Sequence, residues 1–594
     1  MLLQALADYY EICAADQTSN IPKRGRGQAK ISYAVVLSGT GVFLDLVCLK
    51  YKTGEREVTQ SMEVPEPVKR SSGINPNYLF DNATYVFGLD CKGKPEQSVK
   101  SFIAFKQLHH KLLDGCALPE AKALLAFLDH WDVALAATHP LLEPCMTDLR
   151  KGANLVFRID GQQTYLHEYP VLAKKWPLPA QSQNEPSLPC LVTGHACVPV
   201  RLHPAIKGVK GGQSMGCQMI SFNAKAYESY GHEDDQGRNA PVSEQAAFAY
   251  GTALNALLAD SAHRFFLGDM TMVFWAIAEN YQTAVVCQDL LAMLIDPDTI
   301  PTDQIKTDRL RDETAVHLVK GIFSAIAAGK NPAMGFERIS PDISVYVLGL
   351  SPNAARLSVR LFEQNSLGGF VQKTAKHHQD LLLEPQFEND RQNFSVYTLL
   401  RETVSSKAKN KTPSPLLSGA VMRAILEGSP YPVQLLQSIL IRIRAEHRVN
   451  HRKCAIIKAY LIRCPHAGQY KEVLTVSLNE DSNNVPYTLG RLFALLEKAQ
   501  VDATSASTTI RDRYFSAAAA TPGNVFPTLL RLSTYHTSKS DYGYVIEKKI
   551  AGVLEKLNVN DPPFPKQLNI EEQGLFILGY YHQRNALYRK KEEQ

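Results

Sequence analysis

A basic run of small residues, SSKAKNKTPSP at 405–415, separates two kinds of pattern in this chain. Ahead of it short apolar stretches that alternate with polar residues and break at Gly, Asn and Pro, the period of strands, mix with helix candidates such as 102–113 and 121–130, and from Glu363 onward the text is mostly helical. Behind it apolar residues recur at three and four, as Leu489, Leu492, Phe493 and Leu496 do, which is the stripe of an amphipathic helix. A chain of 594 residues also exceeds what one hydrophobic core serves, so about two to four domains are expected. The fold class read from this is α+β: a mixed or antiparallel-sheet N-terminal and central region, then a C-terminal α-helical bundle. The expected divisions are 1–180, 190–404 and 405–594, with a polar, proline-bearing connector at 177–189.

Charge follows the same divide. Residues 405–594 hold 26 Lys and Arg against 16 Asp and Glu, whereas the preceding residues are net negative. The basic third is therefore the candidate polyanion-facing surface, with a solvated helical face as the bland alternative. Its densest run is Arg442, Arg444, Arg448, Arg452 and Lys453. Such a surface grips a nucleic-acid backbone without reading bases.

In the N-terminal part, 31–37 and 42–50 read as strands joined by Ser38-Gly39-Thr40-Gly41, a hairpin signal. The stretch KRSSGINPNYLFDNATYVFGLD follows, with a strand expected over 84–89 and another over 164–166. Its asparagines allow two readings. Their amides donate and accept together, which suits base edges, with Lys69 and Arg70 beside them for phosphate. The same asparagines also cap turns with their own side chains.

Further on, RLHPAIKGVKGGQSMG places Lys207, Lys210 and Gln213 on a glycine-rich positive segment that can approach phosphates. No Gly-Lys-Ser/Thr closes it, so it is not a nucleotide-binding P-loop. Residues 343–364 read as two strands across a turn, putting Arg356 and Arg360 at a sheet rim to meet phosphate or acidic neighbours. His377 and His378, adjacent on a helix, do not face one way as ligands would and are expected at the surface. Cys190, His195, Cys197 and His203 lack the tight pairs of a structural zinc site. His263, Asp269 and Glu279 do not make a nuclease constellation. No catalytic residue, metal or cofactor is expected.

Eleven thinly spread cysteines suit a reducing compartment. MLLQALADYYEICAADQ reads as an amphipathic helix without the basic start of a signal peptide. No apolar run approaches the roughly 20 residues that span a bilayer. A cytoplasmic protein without membrane contact is expected.

Several long stretches together carry a resemblance. MLLQALADYY, SSGINPNYLFDNATYVFG, CLVTGHACVPVRLHPAIKGVKGGQS, NAPVSEQAAFAYGTALNALL, GDMTMVFWA and VLGLSPNAARLSVRLF, in that order, resemble the large subunits of type I-C CRISPR Cascade complexes, the Csd1 or Cas8c family. The resemblance implies a non-catalytic subunit assembled with CRISPR RNA, Cas5c and several Cas7c subunits. Such a subunit inspects target double-stranded DNA for the protospacer-adjacent motif, supports R-loop formation and helps recruit the helicase-nuclease Cas3. It also implies that the C-terminal bundle is similar to the small subunit Cas11c. On that footing Gly73, Asn75, Asn77 and Asn82 are the candidates for motif reading. Lys69, Arg70, Lys207, Lys210, Gln213, Arg356 and Arg360 are candidates for phosphate, and Arg442, Arg444, Arg448 and Arg452 for the displaced strand. The competing readings are a structural scaffold that never reads DNA and a nuclease or RNA-processing subunit.

Overall fold

The computed structural model describes all residues except 17, 20, 54–55, 69–72, 92, 177–186, 223, 229–235, 301–311, 329, 331–338, 388–390, 410, 505–507, 542, 559–561 and 589–594. The chain forms two compact units, each assembled from separate stretches. One comprises Cys13–Leu202 and Phe222–Thr252; the other comprises Met1–Ile12, His203–Ser221 and Ala253–Gln594.

The first unit is built on a mixed five-stranded sheet. Its strands are β1 (Arg26–Leu37), β2 (Phe43–Cys48), β3 (Gln60–Pro65), β4 (Phe80–Asn82) and β5 (Asn154–Ile159). Their order is β2–β1–β5–β4, with β3 paired to the first half of β1; β1 and β5 run parallel. Strand β1 is long because its second half, ISYAVVL, is apolar on both faces. Tyr33, Val35 and Leu37 join the core under the helices Pro95–Leu113 and Pro119–His130, while Ile31 and Ala34 pack with Met62 and Val64 on the other side. The turn into β2 needs Gly41: its φ is +87°, and a Cβ there would stand 2.5 Å from the Ala123 carbonyl.

Two strands expected in this unit are absent. Residues 83–86 form a helical turn (Ala83–Val86), because the Asn82 side chain accepts the Thr84 N–H and starts a helix. Residues 164–166 hold one bridge, Arg158 to Tyr165, and then a 3₁₀ turn at Leu166–Glu168.

The second unit carries a six-stranded sheet. Its strands are β6 (Ala205–Ile206), β7 (Cys217–Gln218), β8 (Arg264–Leu267), β9 (Met270–Ile277), β10 (Ser344–Asn353) and β11 (Arg356–Ser366), in the order β6–β7–β11–β10–β9–β8. The alternation that predicted the 343–364 hairpin corresponds to a ten-pair register from Ser344–Ser366 to Asn353–Arg356. Trp275 stacks on Tyr346 at 5.3 Å and donates its indole N–H to the Ala5 carbonyl, which ties the N-terminal helix to the sheet. The C-terminal helices Val485–Ala503 and Ile570–Tyr588 touch backbone to backbone. A Cβ on Gly490 would meet the Phe576 carbonyl at 1.9 Å, and one on Gly579 would meet that of Tyr487 at 2.0 Å.

The expected boundary at 404–405 is not a break in the core. One set of buried apolar residues runs from Leu267 through Leu400, Leu417 and Leu436 to Tyr581. The basic segment is fastened across it, with Ser406 N–H donating to Glu446. The division at 180–190 likewise falls inside the first unit, whose chain returns at Phe222–Thr252. Sequence shows a change of period; it does not show that helices and sheet share one apolar interior.

His377 and His378 are corrected from surface to core. Both lie on the helix Leu367–Leu381 and both are buried, one ring bonded to the Tyr431 hydroxyl and the other to the Leu294 carbonyl. Their rings lie 5.1 Å from each other inside the single apolar interior that this helix enters. Burial holds the His378 imidazole near pKa 4, and that of His377 well below its ordinary value.

Candidate nucleic-acid interface

The asparagine-rich turn of the first unit is a scaffold before it is a surface. Asp81 is fully buried and accepts two backbone N–H groups at 2.8 Å, those of Asn77 and Asn82. Asn77 is 6% exposed, and its side-chain carbonyl accepts the Val68 N–H at 2.9 Å, closing the base of the loop. Next to it Leu79 adopts φ +61°, a costly conformation for a branched residue. Its N–H donates to Nε2 of buried His109 at 2.9 Å, while Nδ1 of that ring donates to the Phe105 carbonyl. Burial brings the His109 pKa down to about 4, which keeps the acceptor nitrogen unprotonated. Tyr78 is sandwiched between the His109 and Trp176 rings.

The candidates from this motif therefore divide. Gly73 (φ +81°) and Asn75 are exposed. Asn77 and Asn82 are corrected from base readers to fasteners, since one holds Val68 and the other caps Ala83–Val86. Lys69 and Arg70 lie outside the described residues.

In the second unit the glycine-rich segment is the pinned connection between β6 and β7. The Lys207 N–H donates to the Asn255 side chain at 2.8 Å, and the Lys210 N–H to the Thr271 hydroxyl at 2.9 Å. The Gln213 N–H faces the Cys217 sulfur. These backbone anchors leave the Lys207 and Gln213 side chains exposed at the surface. The Lys210 ammonium instead reaches the Gly268 carbonyl at 3.3 Å and lies over the Phe266 ring. Arg356 and Arg360 stand on β11, which lies inside the sheet between β7 and β10 rather than at its edge; Arg356 pairs with Gln218 of β7, and the Arg360 carbonyl accepts from Arg423.

Three depressions of this unit share lining residues. The first, about 610 Å³, is lined by Lys210, Arg264, Phe266, Asp296, Asp298 and Tyr397, among others. It shares Thr398 with a second of about 280 Å³ that holds Arg401, Glu402, Lys411, Glu446, Arg448, Arg452 and Lys453. That one shares Arg448, Asn450 and Arg452 with a third of about 200 Å³, bordered by Phe387, Arg391 and Phe394. Among the described residues, eight cationic side chains and four carboxylates line the three depressions.

The carboxylates are engaged. Glu446 accepts from the Lys453 ammonium at 2.8 Å and from the Ser406 N–H; burial works to raise its pKa, and these bonds carry it below the ordinary value. Glu402 meets Asn450 at 3.1 Å and Arg452 at 3.6 Å. Asp298 holds Arg391 and the hydroxyls of Ser395 and Thr398. Among the described residues, Arg401, Lys411 and Arg448 have no carboxylate partner.

Of the four arginines read as one basic run, Arg448 and Arg452 border this cleft and Arg442 and Arg444 do not. The latter two sit on the helix Val433–Glu446, where Arg444 bonds to Gln573. Sequence reading missed Arg264, Phe266, Tyr397 and Arg401, which lie far apart in the chain without a shared motif. It took Lys411 for part of a linker. Among the described residues, no group of three or more His, Cys, Asp or Glu could hold a metal ion, and no helix is long and apolar enough to cross a membrane.

Comparison with known proteins adds a family. No curated protein matches the chain. A family model described as CRISPR-associated protein (Cas_Csd1) matches residues 6–588, nearly the whole length. The chain thus belongs to the Csd1 family of CRISPR-associated proteins.

Proposed function

We propose that this chain is the large subunit of a type I-C Cascade complex, a protein without its own active site that inspects duplex DNA beside the guide match. Its partners in this reading are CRISPR RNA, Cas5c, several Cas7c subunits, a Cas11c small subunit, target DNA and the recruited Cas3. Family membership supports the setting. The observation that carries the DNA-facing role is the cleft, where, among the described residues, three cations without carboxylate partners line one depression. A polyanion fits such a surface, because each phosphate neutralised releases counterions. In the same reading Asn75, exposed on a turn whose base is rigidly fastened, makes the base-edge contact of motif reading. Duplex opening draws on heteroduplex formation and backbone contacts and needs no nucleotide hydrolysis.

The assembled complex tests this with duplexes that carry or scramble the flanking motif. Asn75→Ala is expected to reduce the preference for the motif-bearing duplex by about fivefold or more, a bidentate base contact contributing about 1–3 kcal/mol. Arg448→Glu with Lys411→Glu is expected to weaken both duplexes alike. Equal loss on both duplexes from Asn75→Ala would refute the reader assignment.

A further inference from the structure

We propose that Cys190 and Cys197 are a modification site for small peroxides, at which Cys190 is oxidised first and Cys197 then closes a disulfide with it. The pair belongs to the first unit and is independent of the DNA-facing role of the chain.

Register brings the two sulfurs together. The short strands Leu188–Pro189 and Ala196–Cys197 pair with Leu188 opposite Cys197 and Pro189 opposite Ala196. The next step sets Cys190 opposite His195, whose carbonyl accepts the Cys190 N–H at 2.8 Å. Side chains alternate along a strand, so Cys190 and Cys197, two residues on from His195, share one face of this hairpin as diagonal neighbours. Both are buried at the base of a turn in which Leu191, Thr193, Gly194 and His195 are exposed. A diagonal pair stands near the upper limit of disulfide spans, so closure takes a small backbone shift, which an exposed turn allows. Burial of both sulfurs suits an oxidant as small as hydrogen peroxide.

The surroundings give the two sulfurs different roles. Cys190 faces the start of the helix Glu244–Ala259: its sulfur accepts the Ser243 N–H at 3.3 Å and lies 3.8 Å from the Ser243 hydroxyl oxygen. Glu244, in the first turn of that helix, is paired with Arg24 at 3.5 Å. Burial works against a thiolate at Cys190, but the Thr193 hydroxyl and the N–H groups of Ser243, Thr193 and Val192 bring its pKa down to about 6. Cys197 moves the other way, raised by burial, by the charge of Cys190 and by a hydrogen bond to its sulfur. Where burial dominates, as at Cys287, a thiol is pushed up to about 12 and stays inert. An anionic sulfur beside a protonated one is the arrangement of an attacking and a resolving cysteine. The Cys190 sulfur attacks one peroxide oxygen, the O–O bond breaks and hydroxide leaves, giving a sulfenic acid. The Cys197 sulfur then attacks that of Cys190, the S–O bond breaks, and the Cys197 proton leaves with the hydroxyl as water. The hydroxide from the first step takes up the proton that Cys190 had given to solvent. Two thiols are thereby oxidised and one peroxide is reduced to two waters.

The test treats the reduced, folded full chain with hydrogen peroxide and follows the tryptic peptide 176–201, which holds both cysteines. The peptide should become two hydrogens lighter and closed to alkylation, and dithiothreitol should reverse this. Cys197→Ser should stop at a sulfenic acid on Cys190, captured by a 1,3-dione probe, and Cys190→Ser should leave Cys197 unmodified. In Cys197→Ser the rate of oxidation should fall about tenfold from pH 7 to pH 5, against about a hundredfold for an ordinary thiol of pKa about 8.5. The parent chain alone suffices to overturn the proposal: peptide 176–201 keeping both thiols open to alkylation, at a peroxide concentration that oxidises the exposed Cys48, would show that the pair is no such site. Stoichiometric zinc released from the purified chain by acid would overturn it too, by assigning the sulfurs to a metal.

Discussion

The turn at 73–82 and the basic cleft employ their polar side chains in opposite ways. In the turn, Asp81, Asn77 and Asn82 are bonded to the backbone beside them, so the motif fixes its own shape and presents little else. In the cleft, among the described residues, Arg401, Lys411 and Arg448 hold no carboxylate, although Arg452 and Lys453 there are paired with Glu402 and Glu446. A polar residue committed to the fold should affect stability when removed. One left uncommitted should affect binding alone.

The largest effect is expected where commitment is deepest. Asp81→Ala deletes the acceptor of one buried and one partly buried N–H group and should cost on the order of 3 kcal/mol, read as a lower urea midpoint. A loss below about 1 kcal/mol would mean that the turn is not held from within. His109 gives the next effect, through pH. In the unfolded chain its imidazole binds a proton near pH 6.5; folded, burial delays this to about 4. Between those values the unfolded state carries more protons, so stability is fully present above pH 6.5 and falls as pH drops toward 4, by up to about 3 kcal/mol. His109→Asn should lower stability at pH 7 and flatten that slope; an unchanged slope would show that His109 does not carry it.

In the cleft the expectation reverses. Arg448→Glu should leave stability within about 0.5 kcal/mol of the parent, as for other exposed side chains outside the core. It should still reduce nucleic-acid affinity several-fold at low salt, less at high salt. A variant that unfolds more readily and binds normally would erase the contrast between the two regions.

What could be read from the sequence follows the same division. The β10–β11 hairpin was legible because alternation is local, and so was the ambiguity of the asparagines, which cap turns and suit base edges with the same amide. Arg448 and Arg452 were legible as a cluster because they are neighbours in the chain. Burial of His377 and His378 was not, since it depends on Tyr431 and on Leu294 arriving from other elements. The cleft was not legible either. Lys210, Arg264, Arg391, Tyr397 and Lys411 become neighbours only when the sheet and the helices share one core.

The smallest effect separates the two asparagines of one short motif. Asn77→Ala removes the side-chain acceptor of the Val68 N–H, a partly buried group that water can reach once the amide is gone. The cost should be about 1 kcal/mol, the net value of one such bond. Because the Asn77 N–H still donates to Asp81, the turn keeps its course and Asn75 keeps its exposure. Discrimination between motif-bearing and scrambled duplexes should therefore persist at a temperature where the variant is folded. Asn75→Ala should instead lower discrimination between the two duplexes. If Asn77→Ala instead abolished discrimination without loss of stability, the buried amide would belong to the reading surface, and the turn would work as the cleft does.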